Sequence, residues 1–288
     1  MLDPDRPYAY LSEREPKRDV PGKVSVVDVS TVFLTASRCT VGCSMCDLHR
    51  NTLPGPTAVG SIPRQIHFAQ RQLPSANWIK LFNSGNFFDA ASIPISDYRA
   101  IAAACHGYER VIVENHPRFG KNRHRTFRDQ LSGQLEIAVG LETVQPRVLN
   151  RLGKRMSRDD FDSYASFLLK SEIDLRVFLI VGAPALSVAE SIRWARLSVR
   201  HAVGVGARHV SLIPARVGHG WNGQSDCLPK LRLSDLVDLY AKSLTDVNGS
   251  ACLSVDLWDI DPDALCFADR EKLQRLQNAI TIQDASVL

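Results

Sequence analysis

No stretch of this sequence is long and apolar enough to cross a bilayer. The most apolar run, Val177 to Val188, is too short and is broken by Pro184. The first residues, MLDPDRPYAYLSEREPKRD, are charged and lack the apolar centre of a secretory leader. There is no internal repeat and no low-complexity tract. There is also no large excess of charge. A net charge of +4 permits an anionic partner without requiring one. These absences argue against membrane, fibrous and disordered classes and lead us to expect a cytoplasmic protein with no membrane partner. With 44% hydrophobic and 23% charged residues, the 288 residues suit one sizeable globular domain or two small ones. Seven cysteines in a reducing compartment read as ligands, catalysts or buried thiols, not as a disulfide framework.

Strand and helix signals alternate along the chain. Short apolar runs rich in β-branched and aromatic residues occur at 30–36, 78–82, 110–114, 135–141, 175–181 and 209–213. Between them lie helical patterns at 61–73, 96–105 (opened by Ser96), 157–169 and 187–203. Ser157 and Asp160 have the spacing of a capping box, with Asp in the usual Glu position. Parallel βαβ units follow, and right-handed crossovers curl them into an α/β fold: a partial (β/α)6 barrel of the TIM type. Past residue 217 the pattern weakens to a helix near 234–244, a strand near 253–257 and a last helix over 263–280. We therefore expect an N-terminal arm (1–23), a barrel (24–216) and a small C-terminal α/β extension (217–288).

The most informative segment is RCTVGCSMCDL. Cys39, Cys43 and Cys46 are spaced Cys-x3-Cys-x2-Cys just after the first strong strand. Three thiolates leave one iron of a [4Fe–4S] cluster without a protein ligand, and an open coordination position is where a substrate or cofactor binds. The alternative is zinc, held by Cys39, Cys43, Cys46 and His49 in a Cys3His site. Cys105, Cys227, Cys252 and Cys266 are too widely spaced to form a motif. They read as buried or incidental thiols, with an auxiliary cluster as the other possibility.

This spacing, placed after a first barrel strand, resembles the signature of the radical S-adenosylmethionine (SAM) superfamily. The resemblance implies that the open iron binds SAM and that one electron cleaves it to methionine and a 5′-deoxyadenosyl radical. A low-potential donor such as flavodoxin or ferredoxin is the implied partner. By the same resemblance, Asn83, Ser84, Gly85 and Asn86 after the second strand hold the amino group of SAM. Glycine permits close approach, and Asn or Ser offers acceptors for an ammonium. Glu142, at the end of the fourth strand, is the implied ribose ligand, and Gly182, after the fifth, backs the adenine. Each of these could instead be an ordinary loop or surface residue.

The resemblance extends further. FLTASRCTVGCSMCDLHRNT, IKLFNSGNFFD, RVIVENHP and VGLETVQPRVLNRL, from about Val24 to Arg216, are similar to the radical SAM subunit of archaeosine synthase and its relatives. They are also similar to the catalytic domain of the Elongator acetyltransferase subunit. This implies a deazaguanine-type nucleoside in tRNA as substrate. Asp47, Asn51, Asp89, Glu114, Asn115, His116 and Arg216 are the candidates for the substrate side. The basic stretch holding Arg118, Lys121, Arg123, Arg125 and Arg128 would either grip phosphates or form a solvated loop. No separate RNA-binding module is evident. The alternative class is a zinc- or cluster-stabilised barrel that binds nucleic acid without radical chemistry. Finally, Gly218 to Gly223 formally matches GxGxxG, but without a βαβ context it reads as a loop at the barrel mouth.

Overall fold

The computed structural model describes residues 2–20, 23–120, 122–216, 220–221 and 225–288. One eight-stranded sheet runs through it, with the strands neighbouring in chain order. β1 (Ala9–Val20) pairs antiparallel with β2 (Lys23–Phe33). From β2 onward every pairing is parallel: β3 (Trp78–Phe82), β4 (Arg110–Glu114), β5 (Gln134–Glu142), β6 (Asp174–Val181), β7 (His209–Pro214) and β8 (Cys252–Val255). The sheet curls into a nearly closed barrel, the partial TIM-type barrel the sequence leads one to expect. All six expected strands are present. β2 begins earlier than its apolar run because it is zipped to β1 along most of its length.

The helices pack outside: α1 (Ser61–Gln70), α2 (Tyr98–Ala104), α3 (Arg123–Arg128), α4 (Pro146–Arg151), α5 (Arg158–Lys170), α6 (Val188–Gly204), α7 (Leu233–Val247) and α8 (Phe267–Ile282). The capping box forms as its spacing suggests. Ser157 Oγ accepts from the Asp160 amide at 3.1 Å, and the Asp160 carboxylate accepts from the Ser157 amide at 2.8 Å. Ser187 and Glu190 repeat the arrangement at the start of α6. Ser96 does not cap α2. A 3-10 turn over Ile95–Asp97 comes first, and the Asp97 carboxylate is turned to the Gly60 amide. The N-terminal residues contribute β1, and the residues past 217 contribute α7, β8 and α8.

Strand periodicity explains what fills the barrel. Side chains alternate between the two faces of a strand. Leu135, Ile137, Val139 and Leu141 of β5, and Leu175, Val177, Leu179 and Val181 of β6, face the helices and belong to the main apolar core. The intervening residues face inward. At the N-terminal end of the parallel strands they are charged: Lys80, Glu136 and Arg176, all buried. At the C-terminal end they are Glu114, Gly140, Glu142, Ile180 and Ile213, and these surround a cavity. No helix among the described residues is long and apolar enough to cross a membrane.

Candidate active site

The cavity, of about 290 Å3, opens where the strand-to-helix loops gather. This is near the lower end of the range of about 300–1,000 Å3 usual for small-molecule sites. The loop after β2 supplies Cys39, Cys43, Met45, Cys46 and Asp47 to its wall. All three cysteines are half-buried. The loop is pinned on several sides. The Ser44 amide donates to the Leu152 carbonyl at 2.9 Å, and the Ser37 amide donates to Thr57 Oγ1 at 3.0 Å. A Cβ on Gly220 would lie 2.6 Å from the Met45 carbonyl carbon, so only glycine lets this segment approach the cysteine loop so closely. Burial pushes the Cys46 thiol up to about 11 and raises Cys43 as well, with Lys154 opposing the shift at Cys43.

After β3, the Asn-Ser-Gly-Asn turn is organised from below by Glu114. Its carboxylate accepts from the amides of Asn83 at 2.8 Å and Gly85 at 3.2 Å. Burial nevertheless raises the Glu114 carboxyl, against the amides that favour its charge. Ser84 adopts a left-handed backbone with φ 53°, and its hydroxyl is hydrogen-bonded to that of Tyr8 at 2.9 Å. Gly85 lies against Cys39, where an added Cβ would stand 3.5 Å from the Cys39 Cβ. Asn86 donates its amide Nδ2–H to Cys39 Sγ at 3.1 Å, and its Oδ1 accepts from the His116 amide at 2.8 Å. Ser84, Gly85 and Asn86 line the cavity. Asn83 does not. Its side chain is fully buried near Gly85, and neither amide atom has a hydrogen-bond partner.

β5 is irregular at its end. Its register with β6 shifts between Gly140 and Glu142, and Glu142 takes a left-handed φ of 67°. That twist aims the Glu142 carboxylate into the cavity and onto the ammonium of Lys154, which sequence reasoning missed. Both side chains are buried. A Cβ on Gly140 would fall 2.0 Å from Glu142 Oε1 and 2.2 Å from Lys154 Nζ, so glycine is what leaves room for the pair. A bare Gly-Lys after a short helix carries no recognisable signal, and the pairing appears only in three dimensions. Gly182 is not in the lining. Its left-handed backbone packs under Pro229 and Leu231.

Among the substrate-side candidates, Asp47, Glu114, Asn115, His116 and Arg216 line the cavity, whereas Asn51 and Asp89 do not. Asp89 instead closes its own turn by accepting from the Ala91 amide. His116 is wedged between neighbours, with Nε2 2.9 Å from the Lys154 carbonyl oxygen. Burial, aided by Lys154, holds its pKa down at about 4. Arg216 pairs with Asp256 at 2.7 Å and stacks on Trp258 at 4.1 Å. Trp221, Phe178 and Ile180 complete the apolar wall.

The basic stretch becomes α3 and its approach, and its arginines are largely committed to the protein. Arg125 reaches Ser171 and lies over Phe167, while Arg128 is held by Asp129, Glu172 and the Ser171 carbonyl. Lys121 lies outside the described residues, as do four of the six residues of the Gly218–Gly223 motif. Cys105 and Cys252 are buried, while Cys227 and Cys266 are exposed. Among the described residues, no three His, Cys, Asp or Glu side chains gather closely enough to hold one metal ion.

No protein-family model matches the chain, and no curated protein sequence matches it. Solved structures do. SuiB of Streptococcus suis, solved with the precursor peptide SuiA, superposes with a TM-score of 0.58 at 12% identity over 79% of this chain and 48% of its own. Methylornithine synthase, PylB, gives 0.55 at 12% identity over 87% of this chain and 81% of its own. Elp3 of the archaeon Methanocaldococcus infernus gives 0.55 at 11% identity over 76% of this chain and 58% of its own. The chain thus spans about half the length of SuiB and over half that of Elp3. At these identities the likeness is one of fold alone.

Proposed function

We propose that this protein is a radical SAM enzyme whose cluster is carried by Cys39, Cys43 and Cys46. The observation behind this reading is a convergence on one cavity. The three half-buried thiols meet the turn after β3 and the Glu142–Lys154 pair there. The donor set suits a four-iron cluster better than zinc. A zinc ion needs four donors about 2 Å from one point. In a cubane each thiolate binds its own iron, and three thiolates leave the fourth iron open.

Bound here, the cluster would supply one electron to cleave the carbon–sulfur bond of SAM, giving a carbon radical that abstracts hydrogen from the substrate. The chain's own residues bind, orient and exclude water. Ser84, Gly85 and Asn86 border the methionine end, with Asn83 behind them. Glu142, steadied by Lys154, offers an acceptor to the ribose. Gly182 supports the adenine side indirectly, through the loop it packs against. Phe178, Ile180, Ile213 and Trp221 form a dry wall that protects a reactive intermediate. Asp47, His116 and Arg216 border the remaining space and face the substrate.

For the substrate, we carry forward the deazaguanine-type tRNA nucleoside implied by the sequence resemblance. Flavodoxin or ferredoxin would be the reductant. Anaerobic reconstitution should give about four irons per chain, and dithionite with SAM should yield 5′-deoxyadenosine and methionine. Cys43→Ala should abolish both. A reconstituted Cys43→Ala variant forming 5′-deoxyadenosine at the wild-type rate would refute the assignment. Turnover with tRNA, followed by mass analysis of its nucleosides, tests the substrate. Unchanged nucleosides, with SAM cleavage indifferent to tRNA, would remove tRNA from the proposal.

A further inference from the structure

Asn86 is bonded in a way the cofactor-binding role does not require. Its side chain is buried, 3% exposed, and both ends of its amide are used. Oδ1 accepts from the His116 amide at 2.8 Å, which fixes the amide plane. That leaves Nδ2 aimed at Cys39 Sγ at 3.1 Å, a good distance for an N–H···S bond. The His116 ring is itself held, Nε2 to the Lys154 carbonyl and Nδ1 to the Arg118 amide. The donor is therefore rigid, and three loops, after β2, β3 and β4, are tied together at one sulfur. The Val41 amide also donates to Cys39, from a longer 3.4 Å.

We propose that Asn86 is a positioning residue for the cluster, raising its reduction potential through the N–H···S bond to Cys39 and locking that thiolate to the β3 and β4 loops. This rests on the radical SAM reading above. The physical reason is electrostatic. A cluster that takes up one electron gains negative charge, part of which resides on its thiolates. A donor N–H favours the more negative state and so makes reduction easier. A bond from a rigid donor in a low-dielectric pocket acts more strongly than one from water.

The test is an EPR-monitored redox titration of the reconstituted cluster, poised with dithionite and mediators in the absence of SAM. Asn86→Leu keeps the bulk and removes the donor. Asn86→Ser keeps a polar side chain too short to reach the sulfur, and it decides the matter if the Leu variant fails to assemble. At a fixed poise, both should show the ratio of reduced to oxidised cluster falling by about threefold or more, at wild-type iron content. An unchanged ratio in a variant that carries the full cluster overturns the proposal and leaves the radical SAM reading intact. A wild-type protein that binds no four-iron cluster overturns that reading itself, and the proposal with it.

Discussion

The two ends of this barrel hold similar charged residues and treat them in opposite ways. At the N-terminal end, Arg176 lies between Glu15 and Glu136, at 2.7 and 2.6 Å. Arg110 and Arg208 also reach Glu136, and Lys80 reaches Glu13 and Glu15. Trp78 is covered by the guanidinium groups of both Arg110 and Arg208. The charges there saturate one another and fill the interior. At the C-terminal end, Glu114, Glu142, Lys154 and Arg216 border open space. Ser84, Glu142 and Trp221, none of them glycine, adopt left-handed backbone there. Backbone strain and incompletely enclosed charge mark a site, whereas a closed ion-pair network marks a plug.

Substitutions at either end can break that contrast. The largest effect should come from Glu136→Gln, which leaves three guanidinium groups facing a neutral amide. Removing one partner of a buried ion network costs about 3–5 kcal/mol, read as a lower midpoint in urea. SAM cleavage by the remaining folded protein should be unchanged. Lost cleavage with unchanged stability would erase the distinction between the two ends.

Gly140→Ala should show the reverse. The nearest atoms to its new Cβ are the tips of Glu142 and Lys154, which can swing away. Stability should fall by about 1 kcal/mol or less, as these flexible ends give way. SAM affinity should weaken by about tenfold, measured by equilibrium binding to the reconstituted protein, because a misplaced polar pair loses roughly one good hydrogen bond.

Acid should loosen both ends, each through one histidine. Burial holds His116 at about 4 and His209 well below the usual imidazole range. Below about pH 6.5 the unfolded chain binds protons that the folded chain refuses, so stability is present above that pH and declines beneath it. The loss should approach about 2 kcal/mol per histidine by pH 5. Urea titrations of His116→Asn and His209→Asn between pH 7 and pH 5 should each show a shallower decline than wild type. The smallest effect is expected from Trp258→Ala. Trp258 is 68% exposed, and its stacking on Arg216 should contribute about 0.5 kcal/mol. A larger loss in urea would mean that the mouth of the barrel is part of the core.

Legibility followed the range of the interactions. The β-rich runs announced six strands because each is short, apolar and punctuated. The Ser157 capping box was readable because its partners lie three residues apart. α3 and α4 are six residues each, too short for a helical period to show in the sequence. β1 is equally hidden in the sequence. Its sequence, AYLSEREPKRDV, reads as a charged arm, and its glutamates make sense only opposite Lys80 and Arg176 across the barrel.

The same division holds at the site. By itself the sequence determined the alternation that makes a barrel and the three-cysteine spacing that marks one loop as special, since both are set by residues close along the chain. Tertiary structure alone decided which groups meet there. It paired Glu142 with Lys154 above Gly140, set Glu114 beneath the turn after β3, and brought Asn86 to the sulfur of Cys39, 47 residues away. Such contacts depend on register across parallel strands and on backbone that only glycine or a strained residue permits, and neither is written in local spacing.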